Sequence, residues 1–409
     1  MLTVEEARSL VLAHSRVLQP RRVNLADALD LALAEPIVAD LDLPPFDKAL
    51  VDGYAVRASD CVGEGPHRLR VGQEIVAGKV ATRPLDLGEA AVIMTGAPLP
   101  LGADAVVMHE KTRVDAEGFL IIPGPIKPGD GRMEQAREMR RGQVLFEPFV
   151  ALDAAKLGVL ASVGRTEVLV RPRPRVIIIP TGDELVPIAA TPGPGQIRET
   201  NSVVLAGLAR KFDCEPIVHP VAPDERIALS AAVAAALADR PDVLLLCGGV
   251  SAGKRDLVPE ALTANGVETL FHKVRLKPGK PILFGVRSGD GFNPTLVFGL
   301  PGNPVSGIVG FLLFVAPAIG QLLGGGLRGG RVAQESATLT APFRQRGDRE
   351  TYHPASVRRS DDDTLWASPL EWAGSADLYT AARASGFIRF PAVDRDYQAG
   401  DHVEVLWYP

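Results

Sequence analysis

Val243-Leu244-Leu245-Leu246-Cys247-Gly248-Gly249-Val250-Ser251 passes directly from wholly apolar residues into a glycine-rich polar loop. A strand that is apolar at every position cannot alternate between core and water, so it belongs in a sheet covered on both faces. Val176-Ile177-Ile178-Ile179 and Leu296-Val297-Phe298 have the same character. Helix-period segments lie between them, at Ser202 to Lys211, Glu225 to Ala238 and Leu257 to Ala264. This alternation predicts a parallel sheet with helices on both sides. Ligands of such sheets bind beyond the carboxyl ends of the strands. The polar loops fall there: Thr181-Gly182-Asp183-Glu184 after one strand, Gly248 to Gly253 with Asp256 after a second, and Pro301-Gly302-Asn303 after a third.

Two of the loops have the composition of an anion site. Leu276-Lys277-Pro278-Gly279-Lys280-Pro281 carries two lysines three apart around Pro-Gly, and a simple turn has no need of paired cations. Gly299-Leu300-Pro301-Gly302-Asn303-Pro304 follows about twenty residues later, and its Asn-Pro reads as the N-cap and first residue of a helix whose free N–H groups face an anion. Asp183, Glu184 and Asp256 reach the same edge of the sheet. Carboxylates beside a phosphate cradle suggest Mg²⁺, which takes oxygen ligands and shares them with substrate phosphates. Ser251 has no histidine or acid at nucleophile spacing and reads as an oxyanion contact. The glycines match neither the dinucleotide nor the P-loop pattern.

The remaining sequence is modular. A chain of 409 residues, 46% of them hydrophobic, can bury several cores, and a net charge of −5 gives no reason to expect nucleic-acid binding. Three scattered cysteines, Cys61, Cys214 and Cys247, suit a reducing cytoplasm better than a disulfide framework or zinc site. The N-terminus shows no apolar signal segment. Thr3-Val4-Glu5-Glu6 has capping-box spacing before an amphipathic helix, and helical signal continues through Leu25 to Ala34. Short β-rich runs follow, such as Ala91 to Met94 and Ala105 to Met108, and helical signal returns at Ala151 to Leu160. The uncharged stretch from Pro304 to Leu327 contains Pro317 and several glycines, and reads as a buried helix rather than a membrane span. After the glycines of 324–330 the sequence turns to alternating strands.

The fold class expected is therefore α/β multidomain. An N-terminal helical unit (1–42 with 135–170) carries an inserted β domain (43–134). The central parallel-sheet domain (171–326) follows, and then a C-terminal small β domain, a barrel or sandwich (327–409).

Several of these runs, in order along nearly the whole chain, resemble the molybdopterin molybdenumtransferase family (MoeA/gephyrin E-domain-like), which catalyses the last step of molybdenum cofactor synthesis. They are Thr181 to Leu185, Gly195-Gln196-Ile197 with Asn201-Ser202, Gly248 to Ser251 with Asp256, Lys277 to Pro281, and Leu300 to Ser306. Upstream, Val51-Asp52-Gly53-Tyr54-Ala55, Ile93 to Pro98 and Gly102 to Val107 are similar to the family's N-terminal signatures. The resemblance implies a MogA-like, molybdopterin-binding central domain and a C-terminal β-barrel in a cytoplasmic homodimer, with no nucleic-acid or membrane partner but possible contact with other cofactor-synthesis proteins. It implies insertion of molybdate into adenylylated molybdopterin with release of AMP, assisted by Mg²⁺.

Carried onto this sequence, Asp183, Glu184, Asp256 and, more weakly, Asp224 hold Mg²⁺ or the pyrophosphate. Gly249, Ser251, Pro301, Gly302 and Asn303 line the pterin phosphate site. Lys277, Lys280, Arg349 and Ser375 hold molybdate. Asp52 and Thr95 complete the site from the neighbouring subunit. The chain departs from the family pattern at Ala49-Leu50, at Met133 to Glu138 and around His353. Those departures leave open a non-catalytic carrier or scaffold that binds molybdopterin.

Overall fold

The computed structural model describes residues 1–250, 257–289, 293–324 and 332–408. The chain opens with the helix Val4–His14, whose capping box is formed: the Glu6 N–H donates to Thr3 Oγ1 at 3.2 Å, and the Thr3 N–H donates to Glu6 Oε2 at 2.7 Å. Its buried residues, Val4, Ala7 and Val11, pack into the same core as Val176 and Ile178 of the central sheet.

The helical signal over Leu25 to Ala34 is not realised. Leu25–Asp27 forms one 3₁₀ turn, Asp30 takes a positive φ of 61°, and Ala32–Leu33 becomes a strand paired with Val170 and Arg171. Distant partners satisfy the backbone, as where the Leu33 N–H donates to the Val150 carbonyl at 3.0 Å. The side chains of Leu33, Ile37, Leu160, Val168 and Val170 bury together. Tertiary pairing here outweighs a weak local helical preference.

The β-rich region forms a six-stranded sheet in the order Ala105–Met108, Gly53–Val56, Glu89–Ile93, His67–Ile75, Phe119–Ile122 and Arg113–Val114. Inside it, the Glu89 carboxylate is almost wholly buried between the Arg83 and Arg70 guanidinium groups.

The central sheet runs Glu215–Val218, Arg175–Pro180, Val243–Cys247, Thr295–Leu300, Leu283–Arg287 and Glu268–His272. The first four strands are parallel, as expected, but Leu283–Arg287 runs antiparallel to both of its neighbours, Thr295–Leu300 and Glu268–His272. Only seven residues separate Arg287 from Thr295, too few for the crossover that a parallel return requires, so these strands pair as a hairpin. Helices cover both faces. Val4–His14, Asn201–Lys211 and Pro304–Leu322 share one core with alternate strand residues, and Arg226–Ala238 and Val258–Ala264 share the other. The uncharged segment is thus a continuous helix, Pro304–Leu322, with a π-helical turn at Phe311–Val315. Phe311 and Phe314 are fully buried in the sheet core beside Phe212 and Phe271, which accounts for its apolar character without a membrane.

In the C-terminal region, Glu350–Arg359 pairs with both Leu365–Pro369 and Gly386–Phe390, closing a five-stranded barrel through Gln334–Leu339 and His402–Trp407. The short strand Leu276–Lys277 pairs in parallel with the start of Glu350–Arg359, with Lys277 opposite Thr351. One of the two lysine positions is therefore fixed by hydrogen bonds to another part of the chain.

Candidate active site

Three loops leave the carboxyl ends of adjacent parallel strands and are tied at their base. The Thr181 N–H donates to the Cys247 carbonyl at 2.9 Å, and the Gly248 N–H donates to the Leu300 carbonyl at 3.1 Å. Gly248 has φ +103°, and a Cβ there would lie 2.4 Å from the Thr181 carbonyl oxygen, so only glycine allows the loops to come this close. The result is a cavity of about 400 Å³ lined by Glu184, Gly249, Pro301, Gly302 and Asn303 together with Asn201 and Asp224. Asn201–Lys211 and Pro304–Leu322 both begin at it, so the positive ends of two helix dipoles meet at one concavity.

Asn303 occupies the N-cap position and Pro304 the first helical one, as the sequence suggests, but the Asn303 side chain does not cap. Its Nδ2 donates instead to Ser375 Oγ at 2.7 Å, and the Val305 N–H donates to the Ser375 carbonyl at 3.1 Å. The pocket floor is thus bonded to the segment that precedes Leu378–Arg383.

The acidic wall consists of Glu184 and Asp224, with Asp183 next to Glu184 in the same loop. Asp183 Oδ1 accepts the Asp224 N–H at 3.0 Å. Burial, and then the negative charges of Asp183 and Glu184, push the Asp224 carboxyl above its ordinary value. Repulsion of this kind is relieved by a cation, and the donors are hard oxygens of the type Mg²⁺ takes. Among the described residues no three acidic, histidine or cysteine side chains form a complete ligand set. Asp256 and Ser251 lie outside the described residues.

Lys277 and Lys280 are exposed on the turn beside Pro281, which lines the cavity, and neither makes an ion pair among the described residues. Arg349 adjoins the barrel strand that pairs with Lys277. His353 on that strand is buried, and burial, with a smaller contribution from the Lys277 charge, lowers its pKa; its Nε2 lies 2.8 Å from the Leu370 carbonyl. A neutral ring here leaves the positive charge to the lysines and Arg349. Cys247 lines the cavity, but burial raises its thiol pKa far above neutrality, so it serves packing rather than chemistry.

Asp52 and Thr95 stand apart from this cavity, which no residue of 43–134 lines. They form their own unit in the N-terminal β region. Asp52 Oδ1 accepts both the Thr95 N–H and Oγ1–H at 2.7 Å, and these bonds hold its carboxyl below the usual range.

Arg198, Thr200 and Asn201 also line the cavity although the sequence reading gave them no role. The two-residue strand Ile197–Arg198 lies parallel to Leu185–Val186 and so brings them to the Glu184 loop. The available signal was Thr-Asn directly before an apolar-periodic helix, the composition of a helix start.

Comparison with known proteins covers the whole chain. Residues 2–164 match the MoeA N-terminal region (domain I and II), residues 177–321 a probable molybdopterin binding domain, and residues 336–408 the MoeA C-terminal region (domain IV). Proteins named molybdopterin molybdenumtransferase are similar throughout. That of Staphylococcus epidermidis is 31% identical over 99% of this chain and 95% of its own length, and that of Bacillus subtilis 33% over 99% and 94%. The crystal structure of the molybdopterin biosynthesis MoeA protein from Pyrococcus horikoshii superposes with a TM-score of 0.80 at 32% identity, covering 100% of this chain and 99% of that one.

Proposed function

The chain belongs to the MoeA family, and from that membership and the cavity chemistry we propose that it is a molybdopterin molybdenumtransferase: it inserts molybdate into adenylylated molybdopterin and releases AMP. The observation that carries this reading is the bond from Asn303 to Ser375. It joins a pocket suited to phosphate, built on glycine loops and helix starts, to Ser375, which together with Lys277, Lys280 and Arg349, cations that make no ion pair among the described residues, is suited to a second oxyanion.

In this reading Gly249, Gly302 and Asn303, with Ser251, hold the pterin phosphate through backbone N–H groups, and Pro301, which has no N–H to donate, lines the same pocket. Lys277, Lys280, Arg349 and Ser375 hold molybdate by charge and hydrogen bonds. Asp183, Glu184 and Asp224, with Asp256, hold Mg²⁺, which supplies charge neutralisation at the phosphoanhydride when bound. The carboxylates orient that end of the substrate, and the lysines keep the tetrahedral oxyanion beside the dithiolene. The pterin brings the soft sulfur ligands, which agrees with a cavity whose one cysteine is inert.

Asp52 and Thr95 act from a second subunit of a homodimer. This accounts for a pre-formed pair, an Asp52 carboxylate bonded by Thr95, that stands apart from the strand-end cavity of its own chain. The reaction belongs to the cytoplasm, where the protein can meet other cofactor-synthesis proteins.

The test is a coupled assay with purified protein, Mg²⁺, molybdate and adenylylated molybdopterin. AMP appears and an apo-molybdoenzyme gains activity. Tight pterin binding with no AMP would replace the enzyme with a carrier, and neither binding nor AMP would refute both.

A further inference from the structure

The Gly195-Gln196-Ile197…Asn201-Ser202 run has no part in the chemistry above, yet it reaches the floor of the pocket. Asn201 Nδ2 donates to the Gly302 carbonyl at 2.7 Å. The next residue, Asn303, donates to Ser375 Oγ. Asn201 is itself held from behind. Glu199, only 7% exposed, accepts the Ser202 N–H at 2.8 Å through Oε1 and the Ser202 hydroxyl at 2.5 Å through Oε2. The Glu199 N–H in turn donates to the Val186 carbonyl at 3.0 Å. A buried acid thus anchors the start of the helix, the helix start anchors the Gly302 peptide, and the next side chain reaches Ser375.

The direction of these bonds matters. Ser375 Oγ accepts from Asn303, so its own hydroxyl hydrogen remains available to donate. An oxyanion needs donors, and a serine oriented this way presents one. Asn201 lines the pocket, and its Nδ2, committed to the Gly302 carbonyl, fixes the peptide from which Asn303 projects.

We propose that Asn201 is a positioning residue: through Gly302 and Asn303 it fixes Ser375 as a donor to the oxyanion, coupling the phosphate pocket to molybdate affinity. The inference rests on the proposed function and deepens it. A neutral hydrogen bond is worth roughly 0.5–1.5 kcal/mol, so losing the tether corresponds to about two- to twelvefold in affinity.

The experiment compares wild type with Asn201→Ala, Asn201→Asp, Ser375→Ala and the Asn201→Ala/Ser375→Ala double variant. Molybdate KM and kcat are measured in the coupled assay, molybdate Kd by calorimetry, and folding by thermal melting. Asn201 is the first helical residue and Thr200 holds the N-cap position, so the cost to folding should be no more than that of the one lost bond, and the variants should melt as folded protein. Molybdate KM and Kd should rise about two- to twelvefold in Asn201→Ala with kcat nearly unchanged. Asn201→Asp, equal in shape but unable to donate, should be no better than alanine. The double variant should be no worse than Ser375→Ala alone, because both substitutions act through one contact. Additive effects, or a fall in kcat at constant KM, would overturn the inference while leaving the function intact. A wild-type protein that neither binds molybdate nor releases AMP would instead overturn the function, and the inference with it.

Discussion

Gly248→Ala tests whether the closeness of the three strand-end loops makes the site. The backbone at Gly248 has φ +103°, outside even the left-handed region that asparagine tolerates, and a non-glycine residue there carries about 1–3 kcal/mol of strain. The new Cβ would also meet the Thr181 carbonyl oxygen at 2.4 Å and Thr181 Oγ1 at 2.8 Å. Relief requires the two loops to separate by several tenths of an ångström to about 1 Å, an overpacking cost of roughly 1–3 kcal/mol more. The total expected loss is about 2–6 kcal/mol, adding the two ranges. The same movement weakens the Thr181–Cys247 and Gly248–Leu300 bonds, and misplacement on this scale lowers turnover about a hundredfold. Urea unfolding gives the first quantity and kcat/KM for AMP release the second. Gly302→Ala is the matched control, because its Cβ would find nothing nearer than the Gly248 Cα at 3.6 Å. It should leave stability within about 1 kcal/mol. If Gly248→Ala were as stable and active as wild type, tight loop approach would not be what shapes the cavity.

Three further outcomes follow from other parts of the molecule. Glu89, held by Arg83 first and helped by the Asp86 N–H and Arg70, titrates at about 2 against an ordinary 4.5. Its stabilisation is full above pH 4.5 and is lost as pH falls towards 2. Glu89→Gln should therefore cost roughly 1–3 kcal/mol at neutral pH, allowing for solvent around the arginines, and flatten the acid limb of the stability profile. The Asp224 carboxyl is raised by burial and by its acidic neighbours, so its ionised form opposes folding at neutral pH. Asp224→Asn should raise the melting temperature while weakening the Mg²⁺ dependence of AMP release, and a lower melting temperature would contradict the repulsion. Asp52→Ala and Lys277→Ala should each be inactive, whereas subunits of the two mixed one to one should regain about a quarter of wild-type activity, because half the dimers carry one intact site. No recovery on mixing would place Asp52 outside a shared site.

Sequence and structure agree where burial is two-sided. Val243 to Cys247 could be read as a strand because every position is buried, and its loop as a ligand site because glycine, lysine and asparagine follow apolar runs. Local pattern could not show that Leu33 pairs with a segment more than a hundred residues away, nor that Leu283–Arg287 reverses direction in a mixed sheet. It placed Asn303 at a helix start but could not give its side chain's partner, because Ser375 lies 72 residues further on. Asn201 stood in a motif without a task for the same reason: its bond reaches across 101 residues.

The order of synthesis is a further consequence of the helix Pro304–Leu322. With a mean hydropathy of 2.0 it is the one helix among the described residues that is long and apolar enough to cross a membrane by length and composition. Most residues it packs against, from Val4 to Phe298, precede it in the chain. As it leaves the ribosome its platform has already been made, and it can dock onto a sheet completed at Leu300 before a chaperone or bilayer competes for it. A circular permutation that moved this helix ahead of residue 175 would keep every native contact and remove that protection, so its yield of folded protein, rather than its final stability, should fall.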